Sequence, residues 1–219
     1  MVNIQHLLLD LDGTLTDPKQ GIHGSIRYAL AKMNQPLSDD VDLNWTIGPP
    51  LKPSLATLLN THDDARAEQA LQYYRERFAD IGLYENQVYD GVAETLVKLQ
   101  QRGYKLYLAT AKPQVYARKI LQHFDLLKYF TQAYGSELTG ERTDKGDLIH
   151  YILQQEQLNA ETCMMVGDRK YDILGARRNQ MQSIAVNYGY GTEEELAEAE
   201  VQHCISHFSE LLNLLPQSA

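Results

Sequence analysis

The chain has 219 residues, 43% of them hydrophobic and 22% charged, with 20 Lys and Arg against 29 Asp and Glu and a formal net charge of -9. That length accommodates one large domain, or a domain carrying a substantial insertion, with a core buried without disulfide staples. The acidic balance and the lack of a basic run exclude a nucleic-acid polymer as partner, and an anionic substrate has to be met by local cations or a metal because the overall field repels it.

The first predicted element is a buried strand at "IQHLLLD" (4–10), where three leucines run into Asp10 and, two residues on, Asp12. From about 16 to 85 no strand is expected. The segments "SIRYALAKMN", "PSLATLLN" and "DARAEQALQYYRERFADIG" are all helical in period, which predicts a helical insertion. Trp45, the only tryptophan, is expected in the core of that insertion. Beyond it, strands are predicted at "YKLYLAT" (104–110), more weakly at "TQAYGS" (131–136), then at "TCMMVGD" (162–168) and "QSIAVNYG" (182–189). Amphipathic helices at 92–102, 113–124, 145–157 and 172–179 alternate with them. Such alternation implies an α/β fold with a doubly wound, mainly parallel Rossmann-like sheet. The expected domains are therefore an α/β core of residues 1–15 and 86–219 and a helical domain of 16–85. Cys163 and Cys204 stand far apart without a C-x-x-C or metal spacing, as in a reducing compartment. With no run of about 18 apolar residues and two aspartates inside the N-terminal apolar stretch, neither a membrane span nor a signal peptide is expected, and the expected location is cytoplasmic.

In open parallel sheets ligands bind at the carboxyl ends of the strands. Those ends carry Asp10 and Asp12, then Thr110, then Asp168 with Asp172 four residues later, while Lys145 opens the preceding helix. Taken singly, each has an ordinary alternative: a turn cap, a strand-ending hydroxyl, a first-turn acid of a helix. Taken together, crowded carboxylates need a cation, and oxygen ligands suit Mg²⁺. Mg²⁺ keeps positions open for phosphate oxygens, so a phosphoryl substrate is expected. Asp10 can then act as nucleophile and Asp12 as acid and base at the leaving oxygen, with Thr110 and Lys145 holding phosphoryl oxygens. Lys112, next to Ala111 and ahead of the helix start at Pro113, is a further anion-binding candidate, whereas Arg27 and Lys52 read as ordinary solvated cations.

"DLDGTLTD", Thr110 in "LATAKP", Lys145 and "GDRKYD" (167–172) together resemble the haloacid dehalogenase superfamily, matching its four motifs in order from residue 10 to residue 172. The resemblance implies Asp10 as nucleophile and metal ligand. It implies Asp12 as acid/base, with its main-chain carbonyl on the metal, and Asp168 as a further metal ligand. Asp172 would orient metal waters or Lys145. It also implies that the helical insertion is the small cap that closes over the site. An acid at position 12 matches the phosphatases and mutases of the superfamily, so dehalogenation is not expected.

"GIHGSIRYAL", "IGPPL" and "GDRKYDILGA" bring the chain nearest to the phosphoglycolate phosphatase-like branch, which includes 5′-nucleotidases with the same cap. A small-molecule phosphate ester, most like phosphoglycolate, is the expected substrate, with nucleoside monophosphates and then sugar-phosphate mutase chemistry as alternatives. Gly48 in "IGPPL" is the cap position expected to touch substrate, or else simply the start of a helix. A phospho-accepting regulatory domain also gathers acids at strand ends, but it needs neither a cap nor the proton donor Asp12. A monomer or weak homodimer is expected.

Overall fold

The computed structural model describes residues 4–215. The chain separates into two compact units: one runs up to Asp17 and resumes at Val88, and the other is Pro18–Gln87.

The first unit is built on strand β1, His6–Leu9. Leu7, Leu8 and Leu9 are all fully buried. A strand covered on both faces reads as an unbroken apolar run, which is why alternation is absent here. β2 (Thr16–Asp17) follows it. In the second unit come helices α1 (Lys19–Lys32), α2 (Leu51–Leu58) and α3 (Asp64–Arg77), the last running into a π-helical turn at Phe78–Gly82. Ile22, Ile26, Ala29 and Leu30 form one buried stripe on α1, at the spacing of a single helical face. Asp63 caps α3 by accepting from the Ala65 amide, and Tyr74 stacks on Phe78 at 5.1 Å between ring centres. Trp45 departs from expectation. It is 39% exposed on a short 3₁₀ turn, Asn44–Thr46, while Leu43 and Ile47 on either side take the buried positions.

β3 (Gln87–Val88) pairs with β2 in a small separate sheet. The main unit then continues through α4 (Val92–Gln101), β4 (Lys105–Pro113), α5 (Gln114–His123), β5 (Gln132–Ser136), α6 (Lys145–Gln155), β6 (Cys163–Gly167), α7 (Lys170–Arg178) and β7 (Gln182–Val186). Three short elements not expected from the sequence complete it: α8 (Glu193–Glu198), β8 (Cys204–Ile205) and α9 (Leu211–Leu214). The six-stranded sheet has the order β5-β4-β1-β6-β7-β8, with parallel pairing throughout. Leu8, Tyr107 and Met165 of adjacent strands pack with Leu148, Ile149 and Ile152 of α6 and Ala176 of α7 in one core cluster. The chain winds from β1 toward β4 on one side and β6 on the other, so the switch point of the sheet lies at the carboxyl end of β1. Among the described residues no helix is long and apolar enough to cross a membrane.

Candidate active site

The switch point is where Asp10 emerges. Its amide is tied to Val166 O at 2.9 Å, which fixes the carboxylate just beyond the end of β1. The chain then makes a tight loop in which Leu11 O accepts from the amides of Thr14, Leu15 and Thr16, and the Gly13 amide donates to Thr16 O at 2.8 Å. Gly13 sits at φ +83°, a left-handed conformation that glycine takes without penalty. A Cβ there would lie 2.1 Å from Asp168 Oδ2, so the missing side chain is also what lets Asp168 approach.

Asp168 follows β6 directly and is fully buried. Its Oδ2 accepts from the Tyr190 amide at 2.7 Å, and its Oδ1 lies at a long 3.5 Å from Thr14 Oγ1. Asp172, in the first turn of α7, accepts from the Arg169 amide through Oδ2 at 3.1 Å. Lys145 opens α6 behind the cap residue Asp144. Its buried ammonium donates to Asp10 Oδ1 at 2.9 Å and to Ala109 O at 2.7 Å, and pairs with Asp172 Oδ1 at 2.7 Å.

Asp10, Asp168 and Asp172 thus form one cluster, with a ligand atom from each within 4.8 Å of the others. Three carboxylates with one ammonium, which contacts two of them, leave surplus negative charge in a buried place, and burial sets the response. The Asp168 carboxyl is pushed well up, first by desolvation and then by Asp10 and Asp172. Asp172 is pushed up to about 6, again chiefly by burial, with Lys145 opposing. Burial disfavours the Lys145 ammonium, but the attraction of Asp10 and Asp172 outweighs it and raises its pKa. An all-oxygen, electron-rich, buried donor set of this kind suits a hard divalent cation.

Asp12 stands apart from that cluster. Its Oδ2 pairs with Lys112 Nζ at 2.7 Å, both side chains being nearly buried, and its Oδ1 is buried without a hydrogen-bond partner. Burial raises the Asp12 pKa against the pull of Lys112. Lys112 reaches this position because β4 does not stop at Thr110, as the sequence suggests, but runs on to Pro113. Thr110 pairs with Gly135 and Pro113 with Ser136, so Ala111 and Lys112 form an irregularity that bends the strand end. The Thr110 hydroxyl accepts from the Lys112 amide at 3.3 Å, and Ala111 O accepts from Ser136 Oγ at 2.7 Å.

The remaining candidates lie in the helical unit. Gly48 has φ +104°, just ahead of Pro49 and the α2 cap residue Pro50. Arg27 is engaged by the carbonyls of Ser38, Asp39 and Val41, and Lys52 by Asp64 and Glu68, so both serve structure within that unit.

Several residues around the cluster were not picked out from the sequence. Tyr188 donates to Thr14 O at 2.8 Å, Tyr190 donates to Asp17, and Glu195 clasps Arg169 through two bonds of 2.9 and 3.0 Å. The alternating glycines and tyrosines of "YGYG" (188–191) are the one signal that could have drawn notice to them.

A parallel sheet with buried acids at its switch point defines an α/β protein with a candidate cation site, and comparison with known proteins gives the family. The haloacid dehalogenase-like hydrolase family matches residues 7–186, and the chain belongs to it. A 5′-nucleotidase of Pseudomonas aeruginosa is 47% identical over 96% of this chain and 95% of its own length. A phosphoglycolate phosphatase of Colwellia psychrerythraea is 28% identical, over 94% of each chain. A protein named tyrosine-protein kinase PtkA, from Mycobacterium tuberculosis, is 34% identical over 85% of this chain, which spans only 63% of that longer protein. A solved structure of a predicted phosphatase from Clostridium acetobutylicum superposes with a TM-score of 0.91 at 40% identity, over 95% of this chain and 96% of the other. The protein is therefore a hydrolase of this family, of the phosphatase kind.

Proposed function

We propose that the protein is a Mg²⁺-dependent phosphomonoesterase that hydrolyses nucleoside 5′-monophosphates through an aspartyl-phosphate on Asp10. The observation that carries the chemistry is the buried cluster of Asp10, Asp168 and Asp172 with Lys145 bonded to two of its three carboxylates. Asp10, Asp168 and Asp172 would hold the ion, together with the Asp12 main-chain carbonyl that the family resemblance implies. Bound there, Mg²⁺ neutralises phosphoryl charge and orients the ester.

The Asp10 carboxylate attacks phosphorus while the bond to the leaving oxygen breaks, and Asp12 donates its proton to that oxygen. Asp12 then takes a proton from the water that attacks the phosphoryl group, which releases phosphate and restores Asp10. The unpartnered Asp12 Oδ1 suits this shuttle, and the burial that raises its pKa helps it carry a proton. Lys145 fixes the attacking carboxylate. Thr110, Ala111 and Lys112 sit where the bent end of β4 can offer a hydroxyl, an amide and an ammonium to phosphoryl oxygens. Pro18–Gln87 acts as the cap, with Gly48 to Leu51 contributing to substrate choice.

The sequence favours a phosphoglycolate-like ester. The 47% identity to a 5′-nucleotidase, against 28% to a phosphoglycolate phosphatase, supports a nucleoside monophosphate instead. Phosphate release with Mg²⁺ from nucleoside 5′-monophosphates, phosphoglycolate, hexose phosphates, phosphotyrosine and p-nitrophenyl phosphate tests the reading. Nucleoside monophosphates should give the highest kcat/KM, and Asp10→Asn should lower turnover about 10⁴-fold or more, as loss of a nucleophile does elsewhere. Preference for phosphoglycolate would overturn the substrate assignment, and full activity of the Asn variant would overturn the nucleophile. Exchange of Gly48 to Leu51 should shift the ratio among esters more than the rate on p-nitrophenyl phosphate.

A further inference from the structure

The loop between β6 and α7 and the first turn of α7 supply two of the three acids, Asp168 and Asp172, and their shape is fixed from outside by the segment after β7. Tyr190 contributes its amide to Asp168 Oδ2. Gly189 and Gly191 press so closely that a Cβ would lie 2.4 Å from Asp168 Cβ at the first and 2.0 Å from Asp168 O at the second. Glu195, in the first turn of α8, then reaches across the loop. It takes the Arg169 guanidinium through Nε and Nη2 and the Lys170 amide at 2.8 Å. Arg169 and Glu195 are nearly buried, with side-chain exposures of 8% and 12%, so this pair is unlike the exposed ion pair of Arg177 with Glu200 at 48% and 79%.

We infer that Glu195 is a positioning residue of the acid cluster: acting through Arg169 and the Lys170 amide, it holds Asp168 and Asp172 in the arrangement that binds the cation. The inference rests on the reading of that cluster as a Mg²⁺ site. Arg169 lies between the two acids in sequence, its own amide bonded to Asp172 Oδ2 while its side chain is held by Glu195. Removing Glu195 frees the backbone of that loop at Lys170. It also leaves a nearly buried guanidinium without the Glu195 carboxylate, and Asp168 is among the acids whose charge acts on it. A guanidinium drawn onto the Asp168 carboxylate competes directly with a metal. Outer partners that orient metal-binding carboxylates generally control affinity in this way.

The test is Mg²⁺ binding to the intact protein by titration calorimetry at neutral pH, with circular dichroism to establish that each variant is folded. Wild type should bind one ion and Asp168→Asn should not; equal binding by both would overturn the metal-site reading itself. With that reading standing, Glu195→Ala should weaken binding about tenfold, the lower end of the effect of losing an outer-shell partner, and Glu195→Gln should weaken it by less. Glu200→Ala, which removes an exposed ion pair to the same region, should leave affinity unchanged and so separates positioning from general loosening. Folded Glu195→Gln and Glu195→Ala proteins that both bind within about twofold of wild type, well short of the tenfold effect, would overturn the inference. If Glu195→Ala does not fold, Glu195→Gln alone decides.

Discussion

At Asp168 the proposed function and the stability of the fold oppose each other. Its carboxylate is fully buried beside two others, and desolvation together with Asp10 and Asp172 pushes its pKa well up. An asparagine would keep the oxygen that accepts from the Tyr190 amide, and its amide could face Thr14 Oγ1 where Asp168 Oδ1 now lies at 3.5 Å. The charge is therefore costly to the fold, a cost that the proposed cation would offset. Asp168→Asn should raise the melting temperature of the metal-free protein, at about 2–4 °C for each kcal/mol gained in a domain of this size. The same variant should lose its response to Mg²⁺. A lower metal-free melting temperature, measured by circular dichroism in EDTA, would mean that the carboxylate is stabilising and that its repulsion within the cluster has been overstated.

At the scale of elements, the strand ends and the loops that follow them make the site. β1, β4, β6 and β7 are legible in the sequence because strands buried on both faces read as apolar runs, and Asp10, Thr110 and Asp168 are legible as polar residues at the ends of those runs, with Asp172 four residues after Asp168. Lys145, which bonds Asp10 and Asp172, is legible too, but the other pairings are not, because each joins residues far apart along the chain. Lys112 meets Asp12, Tyr190 meets Asp168 and Glu195 meets Arg169 only once the sheet has formed. α8 does carry a readable start, with Thr192 accepting from the Glu195 amide, but nothing local says that Glu195 faces the site loop. Trp45 fails differently, since a large apolar side chain is a good but one-sided guide to burial. Gly13 is the loop residue with the sharpest consequence. Gly13→Ala combines an unfavourable φ of +83° with a Cβ 2.1 Å from Asp168 Oδ2. Gly140→Ala, at φ +98° with nothing within 4 Å, carries the backbone strain alone. Both should lose about 1–2 kcal/mol of stability from strain. Only Gly13→Ala should also reduce the Mg²⁺-induced rise in melting temperature, and an equal reduction in both would show that the close approach to Asp168 is irrelevant.

For the whole molecule, the acid cluster couples folding to pH and, on the metal-site reading proposed above, to the cation. Asp12, Asp168 and Asp172 all have raised pKa values in the folded state, the last at about 6. Unfolded carboxyls titrate near 4, so between roughly pH 4 and 6 these three groups hold more protons in the folded protein than in the unfolded chain. Their contribution to stability is therefore fully present below the unfolded pKa and is lost as pH rises through the folded one. The formal charge of -9 adds self-repulsion in the same direction, and other shifted groups add slopes of their own. Comparing melting with and without Mg²⁺ at each pH cancels those shared terms. Cation binding needs the carboxylates ionised, so the Mg²⁺-induced rise should be negligible near pH 4.5 and should grow through about pH 6. Above that it should reach roughly 5–10 °C at a hundredfold excess over Kd, the equivalent of about 2.7 kcal/mol. Replacing Mg²⁺ by an equal ionic strength of NaCl should abolish the rise, since screening alone cannot neutralise a buried cluster. A rise that is flat from pH 4.5 to 8, or that NaCl reproduces, would place the cation's effect on the acidic surface and not among Asp10, Asp168 and Asp172.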